Sequence, residues 1–244
     1  MGSKPDFLIL GEMKCGTTAL YQYLIQHPKI LSAKQKELHF FYREDYTRKG
    51  IKYYRSLFPR CAEGEITGEA CVQYFCRAKK VIPRLKESKI NPKFILCFRN
   101  PIDRAYSHFN HAVVKYPEKH KRSFKEYLDD ELRELQANGF TQPGKTTFIW
   151  HSLYYRNLIQ WLKYYDKGQF LIIDSNELSI NSKKICNEVF QFLGLNRVDL
   201  KVYPKHHQLK YAVPRTKEVT QLLKNIFDSE NQKLYKLIGK NFGW

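Results

Sequence analysis

A chain of 244 residues with 43% hydrophobic side chains can bury a full core as one domain, and no apolar run approaches the ~20 residues that a bilayer-spanning helix needs. The formal charge of +18 points to a polyanionic partner, whether nucleotide, nucleic acid, sulfated glycan or acidic lipid. Basic stretches such as PEKHKRSFKEY and NSKKICNE are spread along the chain, so many of these charges are ordinary solvated surface and charge alone names no ligand. The start MGSKPDF lacks a signal-peptide pattern, which makes a cytoplasmic location the expectation. Cys15, Cys61, Cys71, Cys76, Cys97 and Cys186 form no C-x-x-C pair and no group with histidine at zinc spacing, so free thiols and no metal are expected.

DFLIL is a short apolar run that ends in a glycine turn and reads as a buried strand. TTALYQYLIQHP follows with apolar residues at helical spacing and stops at Pro28. KFILCF is a second buried strand, after which Asn100 caps a helix with Pro101 at its first position, NPIDRAYSHFNHAVV. Ser123 and Glu126 make a capping box for SFKEYLDDELREL. FIWHSLYYRNLIQWLKYY predicts a long amphipathic helix, QFLIID a third strand, and KKICNEVFQFLG a helix ended by Gly194. A last long helix precedes GKNFGW. Strands alternating with helices predict an α/β fold, a single P-loop-type domain over residues 1–244, with a central parallel sheet flanked by helices on both faces.

Gly11 and Gly16 in GEMKCG have the G-x-x-x-x-G spacing of a phosphate-cradling loop, set between a strand and a helix. The lysine expected after the second glycine is absent; Thr17 and Thr18 stand there, and Lys14 comes early. A loop that holds nucleoside triphosphate with magnesium also needs a carboxylate at the end of a neighbouring strand. KFILCF ends instead in Arg99-Asn100, where a cation would repel a metal but can grip a second phosphate with its planar fork of donors. The ligand implied is an anion with two separated phosphate-type groups, held without metal.

These residues carry a resemblance. KCGTTAL resembles the phosphosulfate loop of the sulfotransferases that use 3′-phosphoadenosine 5′-phosphosulfate (PAPS). FRNPIDRAYSHF resembles the same family's 3′-phosphate motif, while KELHFF and LIGKNFGW resemble the branch of the heparan sulfate sulfotransferases. The ordered matches run from Phe7 to Trp244. The resemblance implies PAPS as donor, with adenosine 3′,5′-bisphosphate as its product. Backbone N–H groups of Lys14, Cys15, Gly16, Thr17 and Thr18 would receive the 5′ phosphosulfate at a helix N-terminus. Lys14 would stabilise charge on the bridging oxygen, and Arg99 and Ser107 would hold the 3′ phosphate. Lys210 and Tyr211, in KHHQLKYAVPR, stand where the family has a basic loop over the nucleotide. Outside this context Lys14 reads as an ordinary loop lysine and Ser107 as an exposed helix serine.

An attacking hydroxyl or amine must lose a proton, so a base has to face the leaving group. By resemblance that base is Glu37; His39, with an unperturbed pKa of about 6.5, is the rival. Taken alone, Glu37 reads as a surface charge and His39 as a packing residue. GEITGEACVQYF departs from the family, with Ala70, Cys71 and Val72 where relatives carry Lys, Thr and Pro, which argues against a heparan-like acceptor. Glu69 there reads either as an acceptor contact or as the buried partner of a cation. His108 and His111, three apart, lack an evident third ligand for a metal.

The leading expectation is a PAPS-dependent sulfotransferase acting on a small-molecule or glycan acceptor, bound to neither nucleic acid nor membrane. A P-loop small-molecule kinase explains the loop but not the displaced lysine. A basic nucleic-acid-binding protein explains the charge but neither phosphate motif, and no such module is recognisable.

Overall fold

A computed structural model describes residues 2–204 and 211–244. Five strands, β1 (Phe7–Gly11), β2 (Ile30–Ser32), β3 (Ile66–Ala70), β4 (Lys93–Phe98) and β5 (Phe170–Asp174), form one sheet of order β2-β3-β1-β4-β5. All four pairings are parallel, so the α/β expectation holds. The helices are α1 (Thr17–Leu24), α2 (Asp45–Ser56, broken at Gly50), α3 (Ala78–Glu87), α4 (Pro101–Lys115), α5 (Phe124–Ala137), α6 (Tyr154–Leu162), α7 (Ser175–Ile180), α8 (Ser182–Leu193) and α9 (Lys217–Ile238). The chain divides into two compact units, Met1–Phe98 with Gln160–His206 and Arg99–Ile159 with His207–Trp244.

The first unit contains the whole sheet. The hydrophobic pattern of β1 and β4 is continuous because both faces are covered, as parallel strands require. Phe7, Ile9, Ile95 and Cys97 point into one core layer with Leu20 of α1 and Val189 of α8. On β4 the alternate residues Phe94 and Phe98 face the other way, meeting Trp161 (5.2 Å between ring centres) and Phe75 (5.6 Å). Trp161 is fully buried and its indole N–H donates to the Phe75 carbonyl at 2.9 Å, which leaves no polar cost against a burial contribution of about 3 kcal/mol.

Sequence pattern predicts three strands; β2 and β3 are additional. The ITGEA of β3 gives no strand signal of its own, because Gly and Glu are poor strand formers, yet β1 and β2 pair with it on both sides. Gly68 lies opposite Phe7, and a Cβ at that position would stand 2.4 Å from the Phe7 carbonyl oxygen. The glycine is required by close approach rather than by flexibility.

In the second unit the Asn100 side chain accepts from the N–H groups of Ile102 (2.9 Å) and Asp103 (3.3 Å), capping α4 as expected. The Ser123–Glu126 capping box at α5 is present. The long helix expected over 148–165 is corrected: a single 3-10 turn at Trp150–Ser152 precedes the shorter α6. The buried Glu131 carboxylate accepts the N–H groups of Ile149 (2.9 Å) and Trp150 (2.8 Å), and Leu153 leaves helical geometry at ψ 63°. A carboxylate supplied from α5 thus captures donors that would otherwise start a continuous helix. The six cysteines are free thiols, and no helix among the described residues is long and apolar enough to cross a membrane.

Candidate active site

The carboxyl end of β1, at the centre of the sheet, passes directly into the loop that joins it to α1. This is where strand order reverses in a parallel sheet and where ligands characteristically sit. Lys14 adopts a left-handed backbone conformation (φ 68°), as does Gly16 (φ 83°), the N-cap of α1. Left-handed geometry is uncommon at a non-glycine residue. Gly16 has no side chain to cap the first turn, so the leading N–H groups of α1 keep the acceptor-seeking character of any helix start. Thr17 is buried and Thr18 half-buried.

Cys15 lies between Lys14 and Gly16. Its N–H donates to the Glu12 carbonyl at 3.2 Å and its side chain is buried in the core.

Still within the first unit, Glu37 and His39 lie together after β2. Glu37 Oε1 pairs with Lys36 Nζ at 2.7 Å, and its Oε2 lies 3.5 Å from His39 Nε2. His39 Nδ1 meets the Tyr42 hydroxyl at 2.9 Å and Cys71 Sγ at 3.5 Å. If the Tyr42 hydroxyl donates to Nδ1, Nε2 carries the ring proton and turns it toward the Glu37 carboxylate, the tautomer that suits both partners. Burial holds the His39 pKa below its ordinary value, against the pull of Glu37 and with help from Arg43 and Lys36. The two rivals for the role of base are therefore one assembly.

Among the described residues no cation pairs with Glu69, which corrects one of its expected readings. It is fully buried, and its Oε1 accepts from the hydroxyls of Tyr54 (2.7 Å) and Tyr74 (3.0 Å). Its Oε2 accepts the N–H of Leu38 at 3.1 Å. Sequence reasoning missed both tyrosines, because nothing local distinguishes a tyrosine whose hydroxyl bonds a buried carboxylate from any other aromatic core residue.

In the second unit Arg99, Asp103, Tyr106, Tyr211 and Arg215 line a cavity of about 500 Å³, closed further by residues 212–214. Arg215 pairs with Asp103 at 2.6 Å, and Tyr106 and Tyr211 meet edge to face, 5.1 Å between centres. The Tyr106 hydroxyl donates to the Val213 carbonyl. The Arg99 carbonyl accepts from Tyr154 at 2.9 Å. Ser107 is buried on α4 and is not among the cavity-lining residues. Lys210 lies outside the described residues. Asp103 and Tyr106 escaped sequence reasoning although they follow Arg99 by four and seven positions, the spacing of one helix face.

A parallel α/β sheet whose first strand runs through a glycine-capped loop into a helix is the architecture of doubly wound nucleotide-binding folds. The sulfotransferase domain family matches residues 4–242, and the chain belongs to that family. It is 28% identical to heparan sulfate glucosamine 3-O-sulfotransferase 3A1 of Mus musculus, over 100% of this chain and 65% of that protein, so it spans less than two thirds of that relative's length. It is 31% identical to the mouse 3-O-sulfotransferase 6, over 98% of the chain and 73% of that protein. Among solved structures, a sulfotransferase from Alicyclobacillus acidocaldarius superposes with a TM-score of 0.80 at 23% identity, covering 98% of each chain; this likeness shows the fold. Family membership sets aside the kinase reading of the loop.

Proposed function

We propose that this chain transfers a sulfuryl group from PAPS to a hydroxyl or amine of a small-molecule or glycan acceptor, by in-line displacement without a metal. The reading also takes residues 1–244 as one sulfotransferase domain and the protein as cytoplasmic. The observation that carries it is the β1–α1 loop, with Lys14 and Gly16 in left-handed conformations at the start of a helix that no side chain caps. Helix-start N–H groups suit the oxygens of a phosphosulfate. Lys14 stabilises negative charge developing on the bridging oxygen as the S–O bond breaks.

In the second unit Arg99 and Ser107 take the 3′ phosphate, and Tyr106 and Tyr211 supply aromatic walls suited to a nucleoside. β4 leads into Arg99 rather than a carboxylate, which disfavours magnesium chemistry at that position. Glu37 accepts the acceptor's proton, and His39 orients the Glu37 carboxylate through its Nε2 side. The heparan sulfate glucosamine 3-O-sulfotransferases among its relatives favour a glycan acceptor, while Ala70 in place of the family's lysine favours another substrate. Acceptor screening with labelled PAPS separates these.

The donor is tested by thermal stabilisation. Adenosine 3′,5′-bisphosphate should raise the melting temperature well above AMP or magnesium-ATP, and Arg99→Ala should erase that preference. Equal shifts with all three nucleotides would remove the 3′-phosphate assignment.

A further inference from the structure

The segment that carries Glu37 and His39 has little regular structure to hold it. It runs through a half-buried loop into a single 3-10 turn at Phe40–Tyr42, with His39 in a left-handed conformation (φ 56°). Its backbone donors nevertheless have partners. The N–H of Leu38 donates to Glu69 Oε2 at 3.1 Å, and the N–H groups of Phe40 and Phe41 donate to the Tyr74 hydroxyl at 3.1 and 3.4 Å. That hydroxyl, accepting twice, must send its own proton elsewhere, and Glu69 Oε1 receives it at 3.0 Å. Tyr54 of α2 donates to the same oxygen at 2.7 Å.

We propose that Glu69 is the positioning residue of the catalytic segment: its carboxylate fixes the backbone of residues 38–41, directly and through Tyr74, and so sets where Glu37 and His39 present their side chains. The inference rests on the reading of Glu37 as the base. Every group around Glu69 donates to it, an arrangement that satisfies a carboxylate and leaves a carboxylic acid with a proton to place. Burial works the other way. It raises the Glu69 pKa to about 7, offset in part by the Tyr54, Leu38 and Tyr74 hydrogen bonds and reinforced by the charge of Glu37. The other titratable groups that couple to Glu69 are Tyr21 of α1 and Cys71. No cation pairs with it among the described residues. The anchor therefore sits close to its own titration at neutral pH, and protonation opposes the Leu38 and Tyr74 contacts.

The experiment needs no acceptor. In the full chain, amide hydrogen exchange at Leu38, Phe40 and Phe41 and the His39 ring resonance are followed by NMR from about pH 5 to about pH 8. Wild type is compared with Tyr54→Phe, Tyr74→Phe and Glu69→Gln. Tyr74→Phe should cost Phe40 and Phe41 roughly tenfold or more in protection. In wild type the His39 resonance should show an inflection near pH 7 that Glu69→Gln abolishes. Tyr54→Phe should move that inflection to higher pH, because one bond favouring the carboxylate is gone.

Unchanged protection in Tyr74→Phe, or an inflection near pH 7 that persists in Glu69→Gln beside the lower one from His39's own titration, overturns the proposal. Should Glu69→Gln fail to fold, the Tyr54→Phe displacement decides, and its absence is equally negative. Adenosine 3′,5′-bisphosphate stabilisation of wild type is measured alongside. Its absence would count against the donor reading, leaving the exchange result to stand or fall separately.

Discussion

The β1–α1 loop and the Glu37 segment belong to the same unit but are built in opposite ways. The loop is made of consecutive residues: Gly11 to Gly16, two left-handed conformations and a helix start supply the donors from main chain. The Glu37 segment is held by side chains brought from far along the chain, Glu69 from the end of β3, Tyr54 from α2 and Tyr74 beyond it. Backbone donors at a helix start survive most side-chain changes, whereas a network of three hydroxyl and carboxylate groups fails when any member is removed. On the proposed reading, the donor half of the reaction is local, and the half that moves the proton depends on tertiary packing.

The largest effect expected is Glu37→Gln, which keeps size and hydrogen bonding but cannot take a proton. Turnover should fall by roughly 10²–10⁴-fold with bisphosphate stabilisation intact, and His39→Asn should cost less. A dead His39→Asn beside an active Glu37→Gln would make the histidine the base and reverse the comparison. Lys14→Ala comes next, with turnover down by about 100-fold or more for one lost contact to developing charge. If only the donor KM rises, Lys14 binds the ground state.

Stability against pH is a smaller test and sharpens the difference between the two regions. The Glu69 pKa is raised from an ordinary 4.5 to about 7, so the folded chain binds the proton more tightly than the unfolded one. Its contribution to stability is full below about pH 4.5 and is lost as pH rises through about 7. Denaturant midpoints of Glu69→Gln should lack that decline relative to wild type, while Lys14→Ala should track wild type across the window. Smallest is the loss of a local device: Asn100→Ala should cost about 1 kcal/mol by uncapping α4, read from the denaturation midpoint, and should leave the pH dependence unchanged.

A profile with an inflection near neutral pH invites assignment to histidine. Here burial lowers His39 and raises Glu69, so the carboxylate is the group that titrates near 7. Desolvation shifts the two in opposite directions because it disfavours the charged form of each.

Much of this was legible in the sequence because its signals are local. A glycine-bounded loop after an apolar strand, Asn100 before Pro101 and the Ser123–Glu126 box each fix geometry within a few residues, and β1, β4 and β5 are apolar enough to declare themselves. The α/β class and the nearness of Glu37 to His39 follow from such signals. Tertiary structure alone decided that ITGEA is a strand, since its pairing comes from β1 and β2 rather than from its own composition. It decided that residues 148–153 are not part of a continuous α-helix, because Glu131 reaches across from α5. It also decided what Glu69 does: a glutamate's partners depend on which side chains the fold brings within 3 Å, and the hydroxyls of Tyr54 and Tyr74 arrive from 15 residues before it and 5 after. Backbone preference is written residue by residue, while desolvation and hydrogen-bond partnership exist only once distant segments have packed together.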